Sequence, residues 1–119
     1  MIDVTLPLRL VSLSNQREHW AKRAKRAKQE RRNAFVIVRS RLDWQEAQKL
    51  PTVVTLTRIG KRLLDDDNLR GACKSVRDGV ADFLGVNDAD PRVEWKYDQE
   101  KGEYAVRIRI EAQNERAKA

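Results

Sequence analysis

The chain has 119 residues, 40% of them hydrophobic and 36% charged, which is enough apolar material for one ordinary core and argues against overall disorder. Its 25 Lys and Arg against 18 Asp and Glu leave a net charge of +7, a balance that favours polyanionic partners such as nucleic acid. Cys73 is the only cysteine, which excludes an intrachain disulfide and a zinc site built on several cysteines and suits a reducing, cytoplasmic setting.

In chain order, Ile2, Val4 and Leu6 alternate with Asp3 and Thr5, the period-two pattern of a half-buried strand that ends around Pro7 to Leu13. This amino-terminal stretch has neither a long apolar run nor a small-residue cleavage site, so neither export nor a membrane partner is expected. Ser14 or Asn15 is placed to cap a long helix running to about Arg41, with Trp20, Ala24, Ala27, Ala34 and Val38 on one apolar stripe. Trp44 to Leu50 reads as a further short helical stretch closed by Pro51. Thr52 to Ile59, rich in Val and Thr and followed by Gly60, reads as a second strand.

From Asp67 onward, Leu69, Ala72, Cys73, Val76, Val80, Phe83 and Leu84 fall on one face of a second helix that stops near Gly85. Val93, Trp95 and Tyr97, then Val106, Ile108 and Ile110, mark two alternating strands, read as a hairpin turning near Gly102. The expected fold is therefore α+β: one domain over residues 1–112 in the order β-α-β-α-β-β. Two main helices cover one side of a mixed sheet of about four strands, with a polar tail over 113–119.

The segment Leu64-Asp65-Asp66-Asp67-Asn68-Leu69 carries the most chemistry. If it is extended, Asp65 and Asp67 project to one side and can converge on a hard divalent cation that relieves their repulsion, while Asp66 points away. The plainer alternative is that Asp66 or Asp67 caps the helix and the others complement its dipole. An EF-hand loop fits poorly, because the segment supplies neither the central glycine nor the terminal glutamate it needs. A second acidic group, Asn87-Asp88-Ala89-Asp90-Pro91, follows the helix and by itself reads as an ordinary turn.

The span from Leu64 to Tyr97 resembles the RusA family of Holliday junction resolvases, with Asp-x-Asp-Asn-Leu opening an amphipathic helix and an Asp-Ala pair, Asp88-Ala89, before a strand. Thr5-Leu6-Pro7 and Ser14-Asn15 agree more loosely with that family's first strand and Ser-Asn turn. The resemblance implies a homodimeric, magnesium-dependent endonuclease that cuts four-way DNA junctions in recombination and repair, with manganese as a possible substitute. It also implies a bacterial or prophage setting. By the same resemblance Asp65, Asp67 and Asp88 are the catalytic metal ligands. The family's lysine falls at Gly71 here, and Lys74 or Arg70 is the candidate replacement. Asp66 and Asp90 remain reserve ligands or supporting groups.

A helix from Leu69 to Leu84 is roughly 24 Å long, and four further residues reach at most about 14 Å. Asp88 is therefore expected to meet Asp65 and Asp67 of a second chain in a two-fold dimer with antiparallel helices. Lys22, Arg23, Lys25, Arg26, Lys28, Arg31 and Arg32 are candidate phosphate contacts, the alternative being a solvated helix face. Arg107 and Arg109 are weaker candidates. His19 is read as structural, and Trp20, Trp95 and Tyr97 as core or dimer contacts rather than base-stacking platforms. Two readings compete with a resolvase: a non-catalytic basic DNA-binding module, and a nuclease acting on other branched DNA.

Overall fold

A computed structural model describes residues 2–10, 20–41, 52–87 and 89–112. The described elements are β1 (Ile2–Leu6), α1 (Trp20–Arg41), β2 (Thr52–Gly60), α2 (Asp66–Leu84), β3 (Val93–Lys101) and β4 (Ala105–Ala112). The α+β class, the element order and the four-stranded mixed sheet are as predicted. The expected cap at Ser14 or Asn15, the helix from Trp44 to Leu50 and the tail from Gln113 lie outside the described residues. Among the described residues, no helix is long and apolar enough to cross a membrane.

The strand order is β1-β4-β2-β3, with β3 parallel to β2 and β4 antiparallel to both β2 and β1. The expected β3–β4 hairpin is therefore wrong: β2 lies between the two strands. Two strand spacings amount to about 9.6 Å, and the steps from Lys101 to Ala105 span up to about 14 Å, so so short a connection can cross the end of β2. It does so closely. Gly102 N–H donates to Gly60 O at 3.0 Å, and a Cβ on Gly102 would stand 3.1 Å from the Ile59 side chain.

Even-numbered residues of β1, β2 and β4 and odd-numbered residues of β3 face the helices: Ile2 and Val4, Val54 and Leu56, Val93, and Val106, Ile108 and Ile110 join Ala34, Val38, Cys73, Val76 and Val80 in one core. The other face carries Asp3, Arg107, Arg109 and Glu100, with Arg107 4.0 Å from Asp3 and 3.2 Å from Glu100, and Arg109 3.9 Å from Asp3. Val53 and Thr57 of β2 are buried even on this face, away from α1 and α2.

The two helices run parallel. Arg31 is paired with Asp82, Phe35 stacks edge-on against Phe83 at 6.0 Å, and Glu30 bonds to Ser75, so residue numbers rise together along the contact. The crossing is closest at Gly79, where an added Cβ would lie 2.2 Å from the Arg31 carbonyl oxygen and 2.8 Å from Ala34 Cβ. The predicted apolar stripe of α1 holds only in its second half. Ala34 and Val38 are fully buried, whereas Ala24 is exposed and Trp20 is 73% exposed, so Trp20 is not a core residue. Among the described residues, the amino-terminal turns of α1 pack chiefly on α2.

Candidate metal centre and nucleic-acid interface

The acidic motif sits where β2 gives way to α2. Asp65 has extended backbone angles (φ −71°, ψ 168°) and is the helix N-cap, its Oδ1 accepting from Asn68 N–H at 2.9 Å and its Oδ2 from Asn68 Nδ2 at 3.1 Å. Asp66 and Asp67 occupy the first helical turn, where they complement the positive end of the helix dipole. This corrects both sequence expectations: the cap is Asp65 rather than Asp66 or Asp67, and the segment is not extended through Asp67. From the cap onward the side-chain period is 3.6 instead of 2, so Asp65 and Asp67 do not converge by strand alternation.

Among the described residues, no group of three His, Cys, Asp or Glu side chains gathers closely enough to hold a metal. Asp88 lies outside the described residues, as does His19. The two carboxylates remain suitable ligands. A carboxylate has about four acceptor directions, and capping uses two of those on Asp65. Asp65, Asp66 and Asp67 are exposed hard oxygen donors.

Two side chains of the sheet hold the loop in front of the motif. Gln99 on β3 donates from Nε2 to Leu64 O at 2.6 Å and accepts from Leu64 N–H at 2.9 Å, fixing the residue before Asp65 from both sides. Arg58 on β2, 5% exposed, donates from Nε to Leu10 O at 2.9 Å and from Nη1 to Arg62 O at 2.8 Å. Gly60 makes room for that guanidinium, since a Cβ there would come within 2.9 Å of Arg58 Nη2. Sequence reading passed over Gln99 and Arg58, because nothing local to the motif points to them. The only signals are a Gln in a strand and an Arg within an apolar strand whose small neighbour is a glycine.

The cationic candidates lie one turn apart on α2 and lean toward different neighbours. Lys74 lies seven residues from Asp67, almost straight along one helix stripe and roughly 10.5 Å away, with Asp78 3.3 Å from its Nζ. Arg70, one turn before Lys74 on the same face of α2, leans instead toward β3, 5.8 Å above the Tyr97 ring, in a hollow of about 350 Å³ that Asp66, Trp95 and Lys96 also line. Trp95 and Tyr97 reach this hollow because the parallel β2–β3 pairing brings β3 beside α2. Asp90 is engaged elsewhere: side-chain and backbone hydrogen bonds from Arg92 hold its carboxyl down at about 2.

On α1, Lys22, Lys25, Lys28 and Arg32 are exposed, whereas Arg23 and Arg26 turn toward α2. Arg31 forms a two-pronged pair with Asp82 at 2.6 and 2.7 Å, and this bonding lowers the Asp82 pKa. Because the helices are parallel, the basic start of α1 and the acidic start of α2 lie at the same end of the pair. Arg107 and Arg109 stand on the opposite face of the sheet from the helices, held to Asp3.

No family model matches the chain. A protein of Xylella fastidiosa (strain Temecula1 / ATCC 700964), described only as an uncharacterized protein, is 37% identical over 94 residues that cover 74% of this chain. The match covers 61% of that relative, so the chain spans about three fifths of its length.

Proposed function

We propose that this chain is a magnesium-dependent endonuclease of the RusA type, acting in the cytoplasm on four-way DNA junctions during recombination and repair. The observation that carries the reading is the parallel helix pair, which sets exposed Lys22, Lys25 and Lys28 at the same end as Asp65 and Asp67. Cations there would hold phosphates, and the hard carboxylate oxygens beside them would hold a divalent ion. When bound, Mg²⁺ supplies Lewis-acid stabilisation of the phosphate and lowers the pKa of a coordinated water, and Mn²⁺ can take its place.

Asp65 and Asp67 are the proposed ligands, Asp88 the third, and Lys74 or Arg70 the cation facing developing negative charge. Asn87 lies just past the C-terminal end of α2, a helix roughly 28 Å long that starts at the Asp65 cap. In the proposed homodimer, antiparallel α2 helices bring Asp88 of one protomer to Asp65 and Asp67 of its partner, twice over. Two such sites suit a substrate that needs two cuts.

The test is cleavage of a synthetic four-way junction, a flap and a linear duplex, with and without Mg²⁺, by wild type and Asp67→Asn. Paired nicks confined to the junction, dependent on Mg²⁺ and reduced roughly 100-fold or more in Asp67→Asn with binding retained, are expected. Cutting of the flap in preference to the junction would shift the substrate to other branched DNA. Binding without any cleavage would favour the non-catalytic DNA-binding module, the reading to which the capping role of Asp65 gives its weight.

A further inference from the structure

Between α1 and α2, at the acidic end of the pair, lies an open groove of about 320 Å³. Trp20 stands at its mouth, 73% exposed, with Arg23, Arg26 and Lys74 around it and the small residues Ala27, Gly71 and Ala72 along its walls. Its size is at the low end for sites that hold small planar groups, roughly 300–1,000 Å³. We infer that this groove seats an unpaired nucleobase of a DNA strand, with Trp20 as the stacking platform. The inference rests on the nucleic-acid part of the reading above and not on the metal chemistry.

Three features select this occupant. An indole that is 73% exposed is a platform for any base, since every base has a π face, and cations flanking it can hold the strand's phosphates. Outside the groove, Lys22, Lys25 and Lys28 continue the positive charge along α1 and give the strand a path. The acids within it, Glu30 and Asp78, lie beside cations: Glu30 is 6% exposed and 3.6 Å from Arg26, and Asp78 is 3.3 Å from Lys74.

A second copy docking through the same face would set one lysine and arginine row against another, which disfavours this surface as a self-interface. The stripe of Asp67, Gly71 and Lys74 runs from the acidic tip into the groove. A base seated there therefore belongs to a strand that passes the proposed ligands within about two helical turns. Bases free to enter such a groove occur at the branch point of a junction and in single strands, not within a paired duplex.

The experiment uses the full chain in EDTA and measures binding of a short fluorescent oligo(dT) and of a blunt duplex by anisotropy, for wild type, Trp20→Ala and Trp20→Phe. Trp20→Ala is expected to weaken oligo(dT) binding fivefold or more, the scale of one lost base stack, with less than a twofold change on duplex. Trp20→Phe is expected to retain most of the affinity. Circular dichroism and sedimentation velocity on each variant establish that fold and association state are unchanged. Equal losses on both nucleic acids, no loss on either, or a change in association state on removing the indole would each overturn the inference. Because no metal is present, the failure of Asp67→Asn to abolish cleavage would sink the catalytic reading and leave this result standing. A wild-type protein that binds neither DNA would overturn both.

Discussion

Replacing Gly79 by alanine tests the close helix crossing on which the placement of the basic and acidic groups depends. The new Cβ would lie 2.2 Å from the Arg31 carbonyl oxygen and 2.8 Å from Ala34 Cβ. The carbonyl belongs to the backbone of α1 and cannot swing aside, so the helices must separate by about 1 Å, and overpacking of this kind costs roughly 1–3 kcal/mol. Separation also loosens the Phe35–Phe83 contact, worth about 0.5–1.5 kcal/mol, and the exposed Arg31–Asp82 pair, worth at most about 1 kcal/mol. Against this stands a gain of roughly 0.5–1 kcal/mol from removing a glycine from a helix interior. The net expectation is a loss of about 2 kcal/mol, read as a fall in Tm of about 8 °C and a lower urea midpoint at unchanged slope. If Gly79→Ala matches or exceeds wild-type stability, helix propensity outweighs the clash and the crossing is not tight.

Gln99→Leu is expected to leave the Leu64 N–H and C=O without their partner, costing about 1–2 kcal/mol, to speed hydrogen exchange at the Leu64 amide, and to weaken Mn²⁺ binding measured by calorimetry. Unchanged exchange at Leu64 would show that the clamp does not hold the loop. Glu30 is a pH probe, because burial raises its pKa above 4.5 although Arg26 and Ser75 act in the opposite sense. In the window just above 4.5 the folded protein holds a proton that the unfolded chain has released, so this group's contribution to stability falls as pH rises. Glu30→Gln does not titrate, so its Tm relative to wild type is expected to rise between about pH 4 and about pH 7. A Tm difference that stays flat across that range would contradict the burial argument.

Much of the architecture was legible because its signals are local. The α2 stripe from Leu69 to Leu84, its stop at Gly85 with φ 70°, and the alternation in the strands all follow from side-chain period and from glycine's access to positive φ. Strand pairing was not legible. Two alternating segments joined by a few residues around Gly102 look the same whether they pair with each other or flank a third strand, and the deciding fact, the parallel approach of β3 to β2, is long-range. The core reading of Trp20 fails for a related reason. Helical spacing identifies a stripe but not how far the neighbouring element extends beneath it, and Trp20 and Ala24 on that stripe are exposed. At the site, the acidic motif was conspicuous in composition, yet the choice of cap turns on whether Asp66 begins the helix, a boundary that composition alone does not set.

The misassigned hairpin and the overlooked side chains have one cause, and it bears on function. Parallel pairing of β2 with β3 aligns Arg58 with Gln99, which places both at the carboxyl ends of neighbouring strands, on the helix-facing side. From there Arg58 reaches Arg62 O and Gln99 reaches Leu64 N–H and O, so three of the loop's backbone groups are fixed from the sheet before Asp65 starts the helix. Were β3 paired with β4 instead, Gln99 would stand a strand further from the loop and the clamp could not form. An acidic run on an unbraced loop would spread under its own repulsion and would have to be ordered by the cation at the cost of binding affinity. The brace removes part of that cost in advance, which is why the proposed metal chemistry depends on a topology that the motif itself does not encode.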